Sequence, residues 1–269
     1  VIAVELVKLF RRPRTWVTIA LLNALPVLVA VLLALTDLGP RPGEGPAFLS
    51  AVLTNGNLYP LAALAIVLPL FLPIAVAVVA GDSVAGEAQG GTLRYLLARP
   101  AGRTRLLVAK LVAAFVFVLV AVVVVAAVGY VTGSVLFGVA PTGTTTFSGT
   151  TLSSQQIVVR TLLAIGYVTF SMLGVAAFAL FFSTLTDSPL GATLGALAVL
   201  ITSSLLFTLD AASSIAPYLP TRYWLSYVDL FRDPILWRDI VRGVGLQAVY
   251  LVVLLGASWA NFTTKDVTS

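Results

Sequence analysis

Long runs without a single charge alternate with short clusters of Lys and Arg along this chain, and the runs are apolar on every helical face. A spanning helix needs about 20 mostly apolar residues, and a charge at its centre costs at least ~2.5 kcal/mol. The charge-free runs therefore predict six spans, at about 15–36, 59–80, 109–132, 157–182, 188–209 and 243–262. The longest run, 111–159, yields only one, because its second part, GVAPTGTTTFSGTTLSSQQ, is turn and loop chemistry too polar for lipid. The expected fold class is an all-α membrane protein with a single domain over 1–269.

Four pieces lie outside the spans. Residues 1–12 place Ile2, Leu6, Leu9 and Phe10 on one helical face and Glu5, Lys8 and Arg12 on the other, which predicts an interfacial helix. Pro13 should break it and turn the chain into the bilayer at Trp16. The stretch 82–105 is expected to be a loop carrying a short helix, with Thr92 as its cap, Leu93, Leu96 and Leu97 as its stripe and Pro100 as its end. The segment 141–155 looks like an uninformative loop. In the loop 210–242, short helices anchored by Trp224, Tyr227, Phe231 and Trp237 are expected to fold back against the membrane or over the mouth of a pathway.

Composition sharpens the picture: 59% of residues are apolar and 10% charged, against roughly 25% charged in a soluble domain. The net charge of +5 is thinly spread, so it is a topology signal and no nucleic-acid surface is expected. Ten of the sixteen Lys and Arg fall at the N-terminus, in the 82–110 stretch or at Lys265, and six fall on the other side, four of these in one loop balanced by Asp210, Asp229, Asp233 and Asp239. The excess places both termini in the cytoplasm.

Neither Cys nor His occurs, which removes disulfides, Cys/His metal sites and imidazole-dependent triads. No metal site and no catalytic residue is expected. None of the three lysines follows a glycine, so no phosphate-binding loop of the G-x-x-x-x-G-K type exists here. The predicted spans contain no carboxylate, which disfavours a secondary carrier. Pro69 and Pro73 should kink the second span, and the pairs Gly129/Gly133 and Gly191/Gly195 permit close helix approach within one subunit or between two.

The lead-in RRPRTW, the six spans and the block DSVAGEAQGGTLRYLLARPAGRTRLLVAK together resemble the permease subunits of type 2 ATP-binding-cassette exporters. The positions that carry the resemblance are Glu87, Gly91, Thr92, Leu93, Leu96, Leu97, Pro100, Arg103, Ala109 and Lys110, with a weaker echo in the tail NFTTKDV. Only the 82–110 block is specific, and its acid-to-glycine spacing departs mildly from the family pattern. The resemblance implies an N-terminal elbow helix, a cytoplasmic coupling helix within 82–105, and short re-entrant helices after the fifth span. It further implies a plasma-membrane export subunit that pairs with a second permease copy or paralogue and docks on two separate ATPase subunits, which hold the ATP and Mg.

Asp82, Glu87, Gly91, Thr92, Leu93, Arg94, Pro100 and Arg103 are then the expected contacts to the ATPase, and replacing Glu87 or Thr92 is expected to uncouple transport without affecting insertion. Phe71, Phe170, Met172, Phe178, Ser203, Ser204 and Phe207 are the candidate pathway lining, and their character points to an amphipathic cargo such as a drug, antibiotic, peptide or lipid. The rival expectation is a membrane scaffold that carries no cargo and binds a cytoplasmic protein through the same loop.

Overall fold

The computed structural model describes residues 1–36, 55–91, 102–138, 144–145 and 151–264. The amphipathic lead-in forms α1 (Ile2–Arg11). Arg12 is extended, and Pro13 opens α2 (Pro13–Leu35), where its missing N–H costs nothing. Thr15 Oγ1 donates to Leu9 O at 2.7 Å and Trp16 Nε1 to Phe10 O at 2.9 Å, satisfying carbonyls that the end of α1 would otherwise leave open. The α1–α2 corner is thus held by side chains as well as by the proline.

A 3-10 turn (Gly56–Leu58) leads into α3 (Tyr59–Val67), and α4 (Phe71–Gln89) follows. The kink expected from Pro69 and Pro73 is a full interruption at Leu68–Leu70, with Leu70 at φ −138°, ψ −58°. Pro69 and Pro73 lack the N–H groups that would bond to the carbonyls of Ala65 and Pro69, and two missing rungs one turn apart leave too little to hold the helix together. The third pass is α5 (Arg103–Phe137), about 52 Å of unbroken helix at ~1.5 Å per residue.

After it, strands β1 (Thr144–Thr145) and β2 (Thr151–Leu152) pair antiparallel, where the sequence reading expected only a loop. Ser153 then caps α6 (Ser154–Leu185) in a reciprocal capping box with Gln156. Helix α7 (Pro189–Phe207), three 3-10 segments (Asp210–Ala212, Ala216–Tyr218 and Trp224–Phe231) and α8 (Trp237–Thr264) complete the described chain.

Six of these helices are long and apolar enough to cross a membrane: α2, α4, α5, α6, α7 and α8. Their placement in the bundle is graded. In the apolar window of α6 67% of residues are buried, against 17% for α8, so α6 is the central post and α8 a peripheral one. Around α6 pack α4, α5, α7 and α8, while α2 and α3 close on α5. Several helices start earlier or end later than the charge-free runs, because charges at a helix end are stable wherever they find partners or water and so do not terminate the helix.

Small residues decide the closest contacts. Gly129 and Gly133 of α5 face Pro60 and Ala63 of α3 and the backbone of Gly56, so this pair serves packing within the chain. Gly195 sits against the Phe182 ring in the same way. Buried polar side chains stitch the bundle: Tyr59 Oη donates to Pro26 O at 2.5 Å, Tyr227 Oη to Leu61 O at 2.9 Å and Gln247 Nε2 to Pro220 O at 2.7 Å. Burial pushes the Tyr227 phenol well above its ordinary pKa.

Candidate functional site

One end of the bundle gathers two of the three buried charged side chains among the described residues, Glu87 and Lys110. Residues from four elements meet there: Glu5, Lys8 and Arg12 from α1 and the corner after it, Arg14 from α2, Asp82 and Glu87 from α4, and Lys110 from α5. Lys110 is 2% exposed. Its Nζ lies 2.8 Å from Glu87 Oε2 and 3.6 Å from Glu5 Oε2, and donates to Ser83 O at 2.5 Å. Lys8 Nζ reaches the other Glu87 oxygen at 2.7 Å, so one carboxylate ties α1 to α4 and α5 together. Asp82 accepts from Arg12 Nη1 at 2.9 Å and from Arg14 Nη2. Among these seven groups, four cations face three carboxylates.

The charges border a cavity of about 790 Å³ between the α1–α2 corner and the ends of α4 and α5. Gly86 lines it, and a Cβ there would stand 2.4 Å from Asp82 Oδ1, so the missing side chain makes room for the carboxylate one turn back. Charges this deep are stable only when paired and hydrogen-bonded, which is the state seen at Lys110 and Glu87.

This corrects the expectation for Asp82 and Glu87. They belong to α4 and turn into the bundle, with Glu87 only 6% exposed, and neither stands on a loop open to a partner. Ala, Glu and Gln sustain the helix through GDSVAGEAQ, its glycines cost only ~1 kcal/mol each, and the cations of α1, α2 and α5 neutralise its acids. The helix ends at Gly90 and Gly91, the latter with φ +67°, a conformation that excludes most side chains. Gly91→Val is expected to destabilise the protein by about 1–2 kcal/mol, read as a lower unfolding midpoint in detergent; an unchanged midpoint would remove Gly91 as the stop.

Arg103 is also committed internally. Its Nη1 donates to Phe262 O at 3.3 Å and Thr263 O at 2.9 Å, fastening the start of α5 to the closing carbonyls of α8. Trp259 Nε1 to Thr104 Oγ1 and Asn261 Nδ2 to Thr184 O complete the same end. Thr92, Leu93, Arg94 and Pro100, and with them the expected short helix, lie outside the described residues, as do Lys265 and Asp266.

The sequence reading missed Ser183. Its hydroxyl donates to Gly81 O at 2.6 Å and accepts from the Val84 and Ala85 N–H groups, inserting into the hydrogen-bond ladder of α4 just before the charged turns. No local signal marks it, because a serine in an apolar helix reads as an ordinary polar interruption.

The candidate pathway residues do not converge. Met172 and Phe178 are buried in the core, Ser203 is tied to Thr221 at 2.8 Å, Phe170 is half-buried, and Phe71, Ser204 and Phe207 lie exposed. Phe207 carries the Arg222 guanidinium 4.4 Å over its ring. None of these seven lines the charged cavity.

At the opposite end, Trp224, Tyr227 and Phe231 are buried against the bundle, so these anchors point into protein, and only Trp237 is exposed. The expected charge balance there is partly specific: Arg232 Nε pairs with Asp229 at 2.9 Å, while Arg160, inside α6, donates to Arg232 O at 2.8 Å and lies 3.8 Å from Asp233.

Six long apolar helices, one of them the central post, with the ion pairs of the described residues at the two bundle ends, define a multi-pass α-helical membrane protein. Residues 44–268 match the family described as "Protein of unknown function (DUF2705)", and the chain belongs to it. No curated protein matches the chain.

Proposed function

We propose that this chain is the membrane-spanning subunit of an ATP-driven exporter of the kind it resembles, the type 2 ATP-binding-cassette permeases. A second permease copy or paralogue completes the pathway, two separate ATPase subunits supply hydrolysis, and the ion-paired end faces the cytoplasm. The carrying observation is the fastening around Glu87 and Lys110. The two helices that bracket residues 92–101 are locked to each other and to α1 by buried ion pairs, and Arg103 locks α5 to α8.

A push on the 92–101 segment therefore reaches four elements at once rather than being absorbed by a hinge. Thr92, Leu93, Arg94 and Pro100 are the contacts proposed for the ATPase. Asp82, Glu87 and Arg103 transmit the push by holding the helices, and Gly91 sets where α4 stops. The cargo proposed is amphipathic, such as a drug, antibiotic, peptide or lipid.

The test is a mild-detergent purification of the tagged chain from its native membranes, with identification of stoichiometric partners and measurement of vanadate-sensitive ATP hydrolysis. A co-purifying ATPase is expected, and Leu93→Asp is expected to lower its recovery at least tenfold while the chain still inserts and stays monodisperse. A stoichiometric partner without ATPase activity would replace this reading with the scaffold one.

A further inference from the structure

Arg12 and Arg14 both line the charged cavity beneath α1, and both pair with the same oxygen, Asp82 Oδ2. Their side chains stay 40% and 52% exposed. Each guanidinium carries five N–H donors in a planar fork, and among the described residues Asp82 is the one carboxylate within ion-pair distance of either. One carboxylate neutralises one of the two, so a unit of positive charge and most of the N–H groups remain accessible at the cavity. Arg11 and Arg105, both exposed, add further cations at this end.

The helix that covers the cavity fixes the phase from which a ligand arrives. Glu5, Lys8 and Leu9 of α1 turn onto the cavity, while Ile2, Val4 and Val7 point outward, with Val4 66% exposed. Trp16, just past the corner, is exposed as well. An amphipathic helix with an apolar outer face and a tryptophan beside it lies among lipid headgroups, so the cavity opens at the level where phosphate is the abundant anion. One turn further into the spans, Val79, Ala113 and Ala114 give the cavity an apolar wall. Its volume of about 790 Å³ falls within the range of about 300–1,000 Å³ usual for small-ligand sites. Two accessible guanidiniums above an apolar wall fit an anion that carries hydrocarbon, and a guanidinium fork matches phosphate oxygens.

We propose that this cavity holds one anionic phospholipid of the phosphatidylglycerol type, with its phosphate shared by Arg12 and Arg14 and its glycerol backbone against Val79, Ala113 and Ala114. A choline head would bring a second positive charge to Lys8 and the two guanidiniums, so the same phosphate is held less well in a zwitterionic lipid. The proposal rests on the membrane class of the fold and is independent of the transport reading and of any ATPase.

The test uses the full chain in mild detergent, titrated with phosphatidylglycerol or phosphatidylcholine of identical chains, with native mass spectrometry counting retained lipid. One saturable phosphatidylglycerol is expected, at least tenfold preferred over phosphatidylcholine. Arg14→Gln is expected to reduce that preference at least fivefold, with Asp82 still paired to Arg12, and Arg12→Gln serves the same purpose should the first variant fold poorly. Arg11→Gln removes an equal charge from a residue outside the cavity and is expected to leave the preference unchanged. Inorganic phosphate in excess is expected not to displace the lipid. Equal retention of the two lipids, equal effects of Arg14→Gln and Arg11→Gln, or displacement by inorganic phosphate would each overturn the proposal.

Discussion

Lys110→Ala is expected to lower the unfolding midpoint of the purified protein by about 10 °C, the largest effect of any single charge removal. Its ammonium is buried between Glu87 and Glu5, with Ser83 O as a third partner. Removing it leaves Glu87 at 6% exposure with only the half-exposed Lys8 still beside it among these seven groups. Breaking a buried pair by deleting one partner typically costs ~3–5 kcal/mol, and each 1 kcal/mol moves the midpoint of a protein of this size by roughly 2–4 °C.

Replacing both partners discriminates pairing from simple packing. Lys110→Ala combined with Glu87→Gln is expected to recover most of the loss, since no uncompensated charge remains. A double variant as unstable as the single one would show that Lys110 acts through its contact area. An unchanged single variant would remove the ion network as the fastening of α1, α4 and α5, and with it the support for the transmission proposed above.

Gly133→Val is expected to prevent recovery of folded, monodisperse protein. A Cβ at Gly133 would lie 2.3 Å from Gly56 O and 2.4 Å from Tyr59 Cβ. Gly56 lies in the 3-10 turn, tied to the end of α5 by its N–H to Gly138 O at 3.0 Å, and Tyr59 opens α3. No side-chain rotation relieves that clash, so α5 must move away from α3 and lose the dispersion contacts of the buried face that includes Phe117, Ala121 and Val125. Gly166 is the control: a Cβ there meets nothing within 4 Å, and Gly166→Ala is expected to be neutral or to stabilise by up to ~1 kcal/mol. Size-exclusion profiles of the two variants side by side decide the matter, and a normal profile for Gly133→Val would sink the close-approach argument.

The legible part of the fold was whatever depends on transfer to lipid. Charge-free length predicted the number of long apolar helices, and the amphipathic pattern located α1 and its break before Pro13. Boundaries were read short where charges occur, as at Asp82 and Glu87, since one sequence cannot show that Arg12, Lys8 and Lys110 wait nearby. The capping box at Ser153 and Gln156 was legible and would have moved the start of α6 to its observed place.

The charged site was half legible. The 82–105 stretch was expected to be a loop whose acids contact a partner, whereas Asp82 and Glu87 lie in α4 and pair inside the bundle. Their partners Lys8, Arg12 and Arg14 are some 70 to 80 positions away along the chain, and pairing over that separation is a property of packing that no local pattern encodes.

By itself, then, the sequence determined that this chain lies in a membrane, how many times it can cross, where the crossings are broken by proline and which segments are amphipathic. Those properties follow from the free energy of moving each stretch out of water, which sums residue by residue along the chain. Tertiary structure alone decided that α6 is the central post, that Gly129 and Gly133 are spent on α3, that Trp224, Tyr227 and Phe231 face protein and that Glu87 and Lys110 are one buried pair. Each of these depends on which apolar face meets which, and lipid and protein interior are so nearly alike in polarity that hydrophobicity cannot choose between them.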